Sequence, residues 1–146
     1  MELRRPTVSL VIPMYNEGDH LEDSLRVIAE CVSEATWNYE IILVDDGSSD
    51  DTWVRLNRLA ERLRGLHIIR LSRNFGKELA LCAGLDEAKG RAVIVMDGDL
   101  QHPPELIPEM VRLWRDERYE IVECVKESRG KEPLFKKMGA SLFYGT

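Results

Sequence analysis

The chain has 146 residues, 44% of them hydrophobic and 32% charged, with a formal net charge of -6 at pH 7. That length fits one domain with a real core, and the acidic, sign-interspersed composition offers no nucleic-acid surface and sets an electrostatic problem for any phosphate ligand. No run approaches the roughly 18 apolar residues of a membrane span, and Met1 to Pro6 is too charged for a signal peptide.

Short β-branched runs alternate with helical patterns along the chain. Thr7 to Pro13 reads as a first strand, followed by a helix over Gly18 to Ser33 with Leu21, Leu25, Ile28 and Val32 on one face. Tyr39 to Asp45 is the second strand. Its helix runs from Asp51 to Arg64, is capped by Ser49 or Asp50, and buries Leu56, Leu59, Ala60 and Leu63. Leu66 to Leu71 is the third strand, leading to a small-residue helix over Lys77 to Lys89 in which Ala80, Ala83, Gly84 and Ala88 suit close packing on a sheet. The fourth strand, Arg91 to Met96, is nearly all apolar, and a helix opening at Pro103 or Pro104 follows, with Leu106, Met110, Leu113 and Trp114 as its apolar face. A fifth strand spans Tyr119 to Val125, and a last helix spans Pro133 to Phe143. The three cysteines, Cys31, Cys82 and Cys124, fall far apart on apolar periodic segments and read as reduced core residues of a cytosolic protein.

This alternation predicts an α/β fold, an open and mostly parallel sheet with helices on both faces. Strands that read as continuous apolar runs are buried on both sides in such sheets. Ligands sit beyond the carboxyl ends of the strands, so the unusual polar residues should follow the strands. They do: Pro13-Met14-Tyr15-Asn16-Glu17, Asp45-Asp46-Gly47-Ser48-Ser49-Asp50, Ser72-Arg73-Asn74-Phe75-Gly76-Lys77 and Asp97-Gly98-Asp99-Leu100-Gln101 each come after a strand.

Asp97 and Asp99 flank a glycine directly after a strand, so both carboxylates can face one hard cation, with Gln101 adding an amide oxygen. Mg²⁺ and Mn²⁺ suit such a set and commonly complete it with phosphates and water. A phosphate against these carboxylates needs that cation, because two like unit charges at 4 Å repel by roughly 4 kcal/mol at an effective dielectric near 20. Asp45 or Asp46 is placed to accept hydrogen bonds from a base or ribose, Tyr15 to pack on a base, and Glu17 to accept from ribose hydroxyls. Lys77 either balances phosphate charge or, as the preferred reading, solvates a helix start. The basic cluster Lys126, Arg129, Lys131, Lys136 and Lys137 is either a solvated face or a contact for an anionic ligand. His20, His67 and His102 lack ligand spacing and read as surface residues.

In this order the four clusters resemble the family-two glycosyltransferases, whose Rossmann-like nucleotide-sugar-binding fold is called GT-A. The match is Pro13-x-Tyr15-Asn16-Glu17, then Asp45-Asp46-Gly47-Ser48-x-Asp50-x-Thr52, Arg73-Asn74-Phe75-Gly76-Lys77, and Asp97-Gly98-Asp99-Leu100-Gln101-x-Pro103-Pro104-Glu105. The last two segments resemble the dolichyl-phosphate mannosyltransferase and GtrB-like polyprenyl-phosphate glycosyltransferase branch. The resemblance implies inverting transfer from a UDP- or GDP-sugar to a lipid phosphate. It places Pro13, Tyr15, Asn16, Glu17, Asp45, Asp46, Asp97, Lys126 and Arg129 against the nucleotide-sugar, and Asp97, Asp99 and Gln101 on Mg²⁺ or Mn²⁺, with Asp97 and Asp99 carrying the catalysis. Lys126 and Arg129 stand where relatives usually show an arginine that contacts phosphate.

The resemblance also implies that residues 1–146 form a single donor-binding domain, truncated at its C-terminus, without the acceptor-side and membrane segments of the family. Its place is then the cytoplasm, peripheral at the cytoplasmic membrane face. The apolar residues of the last helix (Leu134, Phe135, Met138, Leu142 and Phe143) imply a homodimer through that helix. A non-catalytic sugar-nucleotide-binding or assembly module is the alternative. A nucleotidyltransferase is disfavoured because no glycine-rich basic loop follows the first strand, and a dehydrogenase because no G-x-G-x-x-G does.

Overall fold

The computed structural model describes residues 5–98, 103–126 and 139–144. Four parallel strands form the main sheet in the order β3-β2-β1-β4: β1 (Val8–Met14), β2 (Tyr39–Asp45), β3 (Leu66–Arg70) and β4 (Ala92–Val95). Helices α1 (Leu21–Ala35), α2 (Thr52–Arg62), α3 (Lys77–Glu87) and α4 (Ile107–Arg115) connect and cover it. The expected α/β architecture therefore holds, and so does its two-sided character. On one side of the sheet, Val8, Leu10, Ile12 and Met14 of β1 meet Leu21, Leu25, Ile28 and Val32 of α1, Leu56 of α2, and Ile107 and Val111 of α4. On the other, Val11, Ile42 and Val44 meet Ala80 of α3. The period-2 alternation of β1 distributes its side chains between the two cores.

At the central strands the close fit depends on small residues. A Cβ added at Gly84 would lie 2.4 Å from Val11 Cγ1 and 3.1 Å from Val44 Cγ2, so α3 lies almost directly on the sheet. At the amino ends of the strands the buried Glu40 carboxylate organises the turn before β4. It accepts from the Ser9 hydroxyl at 2.5 Å and from the Lys89 N–H at 2.7 Å, while Ser9 Oγ accepts from the Gly90 N–H at 2.7 Å.

Several expectations are corrected. β4 is buried on one side only: Ile94 is in the core, but Val93 and Val95 are 42% and 46% exposed, because α3 covers β1 and β2 and does not reach this edge strand. Helix α4 buries the expected Leu113, with Trp114 half-buried against the core, but its other buried residues are Ile107 and Val111, while Leu106 and Met110 are only half-buried. Pro104–Leu106 forms a 3₁₀ turn first, which resets the helical phase. Leu63 lies beyond the end of α2 and is exposed. Cys82 is exposed on α3 and Cys31 is half-buried, so neither is a full core residue. Residues Gly139–Tyr144 form strand β6, paired in parallel with β5 (Ile121–Lys126), where the pattern had suggested helix. Short apolar runs carry no periodicity that separates the two states, and Leu142, Phe143 and Tyr144 suit a strand. The helix proposed for dimerisation is therefore not formed over 139–144, and the rest of that segment, with Leu134, Phe135 and Met138, lies outside the described residues.

Candidate functional site

Parallel register brings the strand tips to one rim. Met14 is paired with Asp45 and Asp45 with Arg70, the Asp46 N–H donates to Met14 O at 2.8 Å, and the Met96 N–H donates to Val11 O at 3.1 Å. Asp97 thus emerges on the same side as Tyr15, Asp46 and Asn74. A cleft of about 470 Å³ opens there, lined by Pro13, Tyr15, Glu17, Asp46, Lys77 and Asp97 together with Met14, Asn74, Gly76 and Gly98. That volume is in the range of small-molecule sites. A larger cavity of about 1070 Å³ lies along β3 and the amino ends of the strands, by Arg5, Glu40 and Lys89. Convergent polar groups at strand carboxyl ends favour the smaller one as the site.

The loop after β1 is sewn to the loop after β2. The Asn16 N–H donates to Ser48 Oγ at 2.9 Å, the Glu17 N–H to Thr52 Oγ1 at 3.1 Å, and the Gly18 N–H to Asp50 Oδ2 at 3.4 Å. Asp50 also takes the Thr52 N–H at 2.9 Å, so it satisfies the first turn of α2 from one residue before the N-cap, Asp51. This seam presents Tyr15, 46% exposed, and Glu17 at the mouth of the cleft.

The loop after β3 is held by Asp46, whose two oxygens accept the Phe75 and Gly76 N–H groups at 2.8 and 3.0 Å. Gly47 makes the approach possible. It sits at φ +69°, and a Cβ there would fall 2.3 Å from the Arg73 carbonyl carbon. The clamped loop turns through Gly76, at φ +103°, and starts α3 at Lys77. Lys77 Nζ then forms an ion pair with Asp97 Oδ1 across the cleft. Lys77, for which the sequence left phosphate balance and helix-start solvation open, is the basic side chain among the described residues lining the cleft.

Two expected nucleotide contacts do not line the cleft. Asn16 turns its side chain to the β2–α2 loop, accepting the Ser49 N–H at 2.9 Å. Asp45 is 0% exposed. Its Oδ1 accepts the Ser48 N–H at 3.0 Å, and its Oδ2, 4.0 Å from Arg70 Nε, has no hydrogen-bond partner. Both hold loops in place. Asp99, Gln101 and Arg129 lie outside the described residues, and Lys126 ends β5.

Among the described residues no three His, Cys, Asp or Glu side chains gather as a metal set. Asp97 nevertheless presents a hard oxygen donor, with a side chain 19% exposed, and the Lys77 ammonium stands against it as a cation already accommodated there. The donor chemistry therefore fits Mg²⁺ or Mn²⁺. No helix among the described residues is long and apolar enough to cross a membrane.

Comparison with known proteins agrees with this geometry. Residues 9–144 match the family described as Glycosyl transferase family 2. An uncharacterized glycosyltransferase, sll0501 of Synechocystis sp., is 49% identical over 137 residues, covering 94% of this chain and 43% of that protein. The undecaprenyl-phosphate 4-deoxy-4-formamido-L-arabinose transferase of Klebsiella pneumoniae is 40% identical over 137 residues, covering 92% of this chain and 41% of that protein. The mannosyltransferase PcManGT from Pyrobaculum calidifontis, solved in complex with GDP-Man and Mn²⁺, superposes with a TM-score of 0.70 at 28% identity, over 87% of this chain and 37% of that one. The chain spans less than half the length of these relatives. With the motifs at one rim and the match running through nearly all of its length, the chain belongs to glycosyl transferase family 2.

Proposed function

We propose that the cleft binds a nucleoside-diphosphate sugar together with Mg²⁺ or Mn²⁺, and that the protein transfers the sugar with inversion to a polyprenyl phosphate at the cytoplasmic membrane face. The observation that carries this reading is the convergence of Tyr15, Glu17, Asp97 and Lys77 on one cleft at the strand tips. The Klebsiella relative is named for an undecaprenyl-phosphate acceptor, and the Pyrobaculum neighbour holds a nucleotide-sugar and Mn²⁺, which supports the same assignment here.

In this reading Pro13 and Tyr15 pack against the base, and Glu17 accepts hydrogen bonds from the ribose. Asp97, with Asp99 and Gln101, holds the cation. Lys126 and Arg129 add contacts to the diphosphate. The Asp46 clamp and the Asn16 and Asp45 loop contacts fix the walls against which the donor lies. A divalent cation bound there offsets the charge that gathers on the departing nucleoside diphosphate. An acceptor phosphate is already anionic, so the residues need only align it and exclude water, and the work is positioning and electrostatics.

Calorimetric titration of the chain with UDP and with GDP, each with and without Mn²⁺, tests the donor reading. One nucleotide should bind only in the presence of Mn²⁺, and Asp97→Ala should abolish that binding. Equal affinity without metal and in Asp97→Ala would overturn it. Transfer to undecaprenyl phosphate, with the anomeric configuration of the product read by NMR, tests the acceptor and the inversion.

A further inference from the structure

We propose that Lys77 is the exchangeable counter-ion of the cleft: it neutralises Asp97 while no divalent cation is bound, and it moves to the donor's diphosphate once the cation takes the carboxylate. The inference rests on the metal-dependent donor reading above and adds a role for Lys77 that the reading does not assign.

The argument begins with charge. The described residues lining the cleft include three carboxylates, Glu17, Asp46 and Asp97, and one basic side chain, Lys77. Asp46 is committed to the Phe75 and Gly76 N–H groups, and Asp97 holds the Lys77 ammonium at the cleft. An ammonium group on Asp97 lowers the cost of holding that carboxylate at the floor of the cleft with no ligand present. It also competes with any cation for the same oxygen.

The second step is mobility. Lys77 has a side chain 57% exposed on a flexible four-carbon stem, whereas Asp97 is 19% exposed and fixed just after β4. Its backbone is held at the first residue of α3 by the Asp46 clamp. The ammonium can therefore leave Asp97 without leaving the cleft. The displaced charge is then next to the space a diphosphate would fill, at the open N-terminus of α3, where Gly76 has nothing within 4 Å of the position a Cβ would take.

Competition and hand-over give opposite signs in two measurements. Removing the charge with Lys77→Gln should tighten Mn²⁺ binding by roughly fivefold to tenfold, a discount for exposure from the full Coulomb value. The same change should weaken the binding of inorganic pyrophosphate at saturating Mn²⁺ by a similar factor. Lys77→Arg keeps the charge and should stay within about twofold of the wild type in the first measurement. Mn²⁺ affinity is read by electron paramagnetic resonance of the free ion, and pyrophosphate affinity by calorimetry.

If Lys77→Gln binds Mn²⁺ no more tightly than the wild type does, the counter-ion role is overturned while the metal reading stands. If Lys77→Gln and Lys77→Arg tighten Mn²⁺ binding equally, the effect is not one of charge and the proposal is overturned. If the wild type binds no Mn²⁺, with or without pyrophosphate, the metal reading fails and this inference fails with it.

Discussion

Asn16 and Ser49 join two loops that are distant in sequence: the Asn16 side-chain oxygen accepts the Ser49 N–H at 2.9 Å, and also the Asp50 N–H at 3.3 Å. Asn16 does this from φ +53°, in the left-handed region that asparagine tolerates better than most residues. It sits between Tyr15 and Glu17, so the strained residue fixes the two side chains at the mouth of the cleft.

Asn16→Ala should therefore lower stability by about 1–2 kcal/mol, part from lost hydrogen bonds and part from the left-handed backbone. Asn16→Gly restores the backbone freedom but not the acceptor, so its urea midpoint should fall between those of the wild type and Asn16→Ala. Equal midpoints for the two variants would show that the backbone conformation contributes nothing.

Asp46→Asn tests the clamp on the loop before α3. Two adjacent N–H donors meet the two carboxylate oxygens, and an amide can offer only one acceptor while turning its own NH₂ toward the other donor. The loss should be about 1–3 kcal/mol. Nucleotide affinity should fall as well, because the loop delivers Asn74 and Lys77 to the cleft. Unchanged affinity in a destabilised variant would confine Asp46 to folding.

Much of this was legible in the sequence because its signals are local. The β-α alternation, the Leu21, Leu25, Ile28 and Val32 face of α1 and the polar clusters after the strands each depend on neighbours a few residues away, and among the described residues each is found in place. What failed depends on distant geometry. Val93 and Val95 read as buried because an all-apolar strand is normally covered twice, and only the position of α3 leaves them bare. Asp45 and Asn16 have the residue types of ligand contacts, and what the sequence could not show is that they also hold the loops beside the cleft, through partners that the fold brings to them. For Lys77 the sequence left phosphate balance and helix-start solvation open, since its partner Asp97 lies on another strand tip.

The pH dependence of the loop seam has a definite sign. Burial pushes the Asp50 carboxyl up, but hydrogen bonds from the Thr52 hydroxyl, the Thr52 N–H and the Gly18 N–H outweigh it and leave Asp50 below its ordinary 3.8. A carboxyl depressed by folding adds stability that is complete above its unfolded value and is lost as pH falls through its folded value. Asp50→Asn should therefore be less stable than the wild type at neutral pH, and the two should converge as the pH drops well below 3.8. Parallel acid-unfolding curves by circular dichroism would contradict this.

Gly84 sets how closely α3 approaches the sheet, and two effects compete there. Alanine at a helix interior position gains about 1 kcal/mol over glycine. Here, however, the new methyl would lie 2.4 Å from Val11 Cγ1, and that β-branched side chain is 0% exposed, so it cannot swing aside. Overpacking of this kind costs about 1–3 kcal/mol, so Gly84→Ala should be net destabilising despite its helix propensity, and Gly84→Val more so. Pairing Gly84→Ala with Val11→Ala should recover part of the loss, because the second change removes the group that the methyl strikes. Thermal midpoints of the two single variants and the double variant measure the coupling, and additive losses would mean that α3 relieves the clash by moving as a whole.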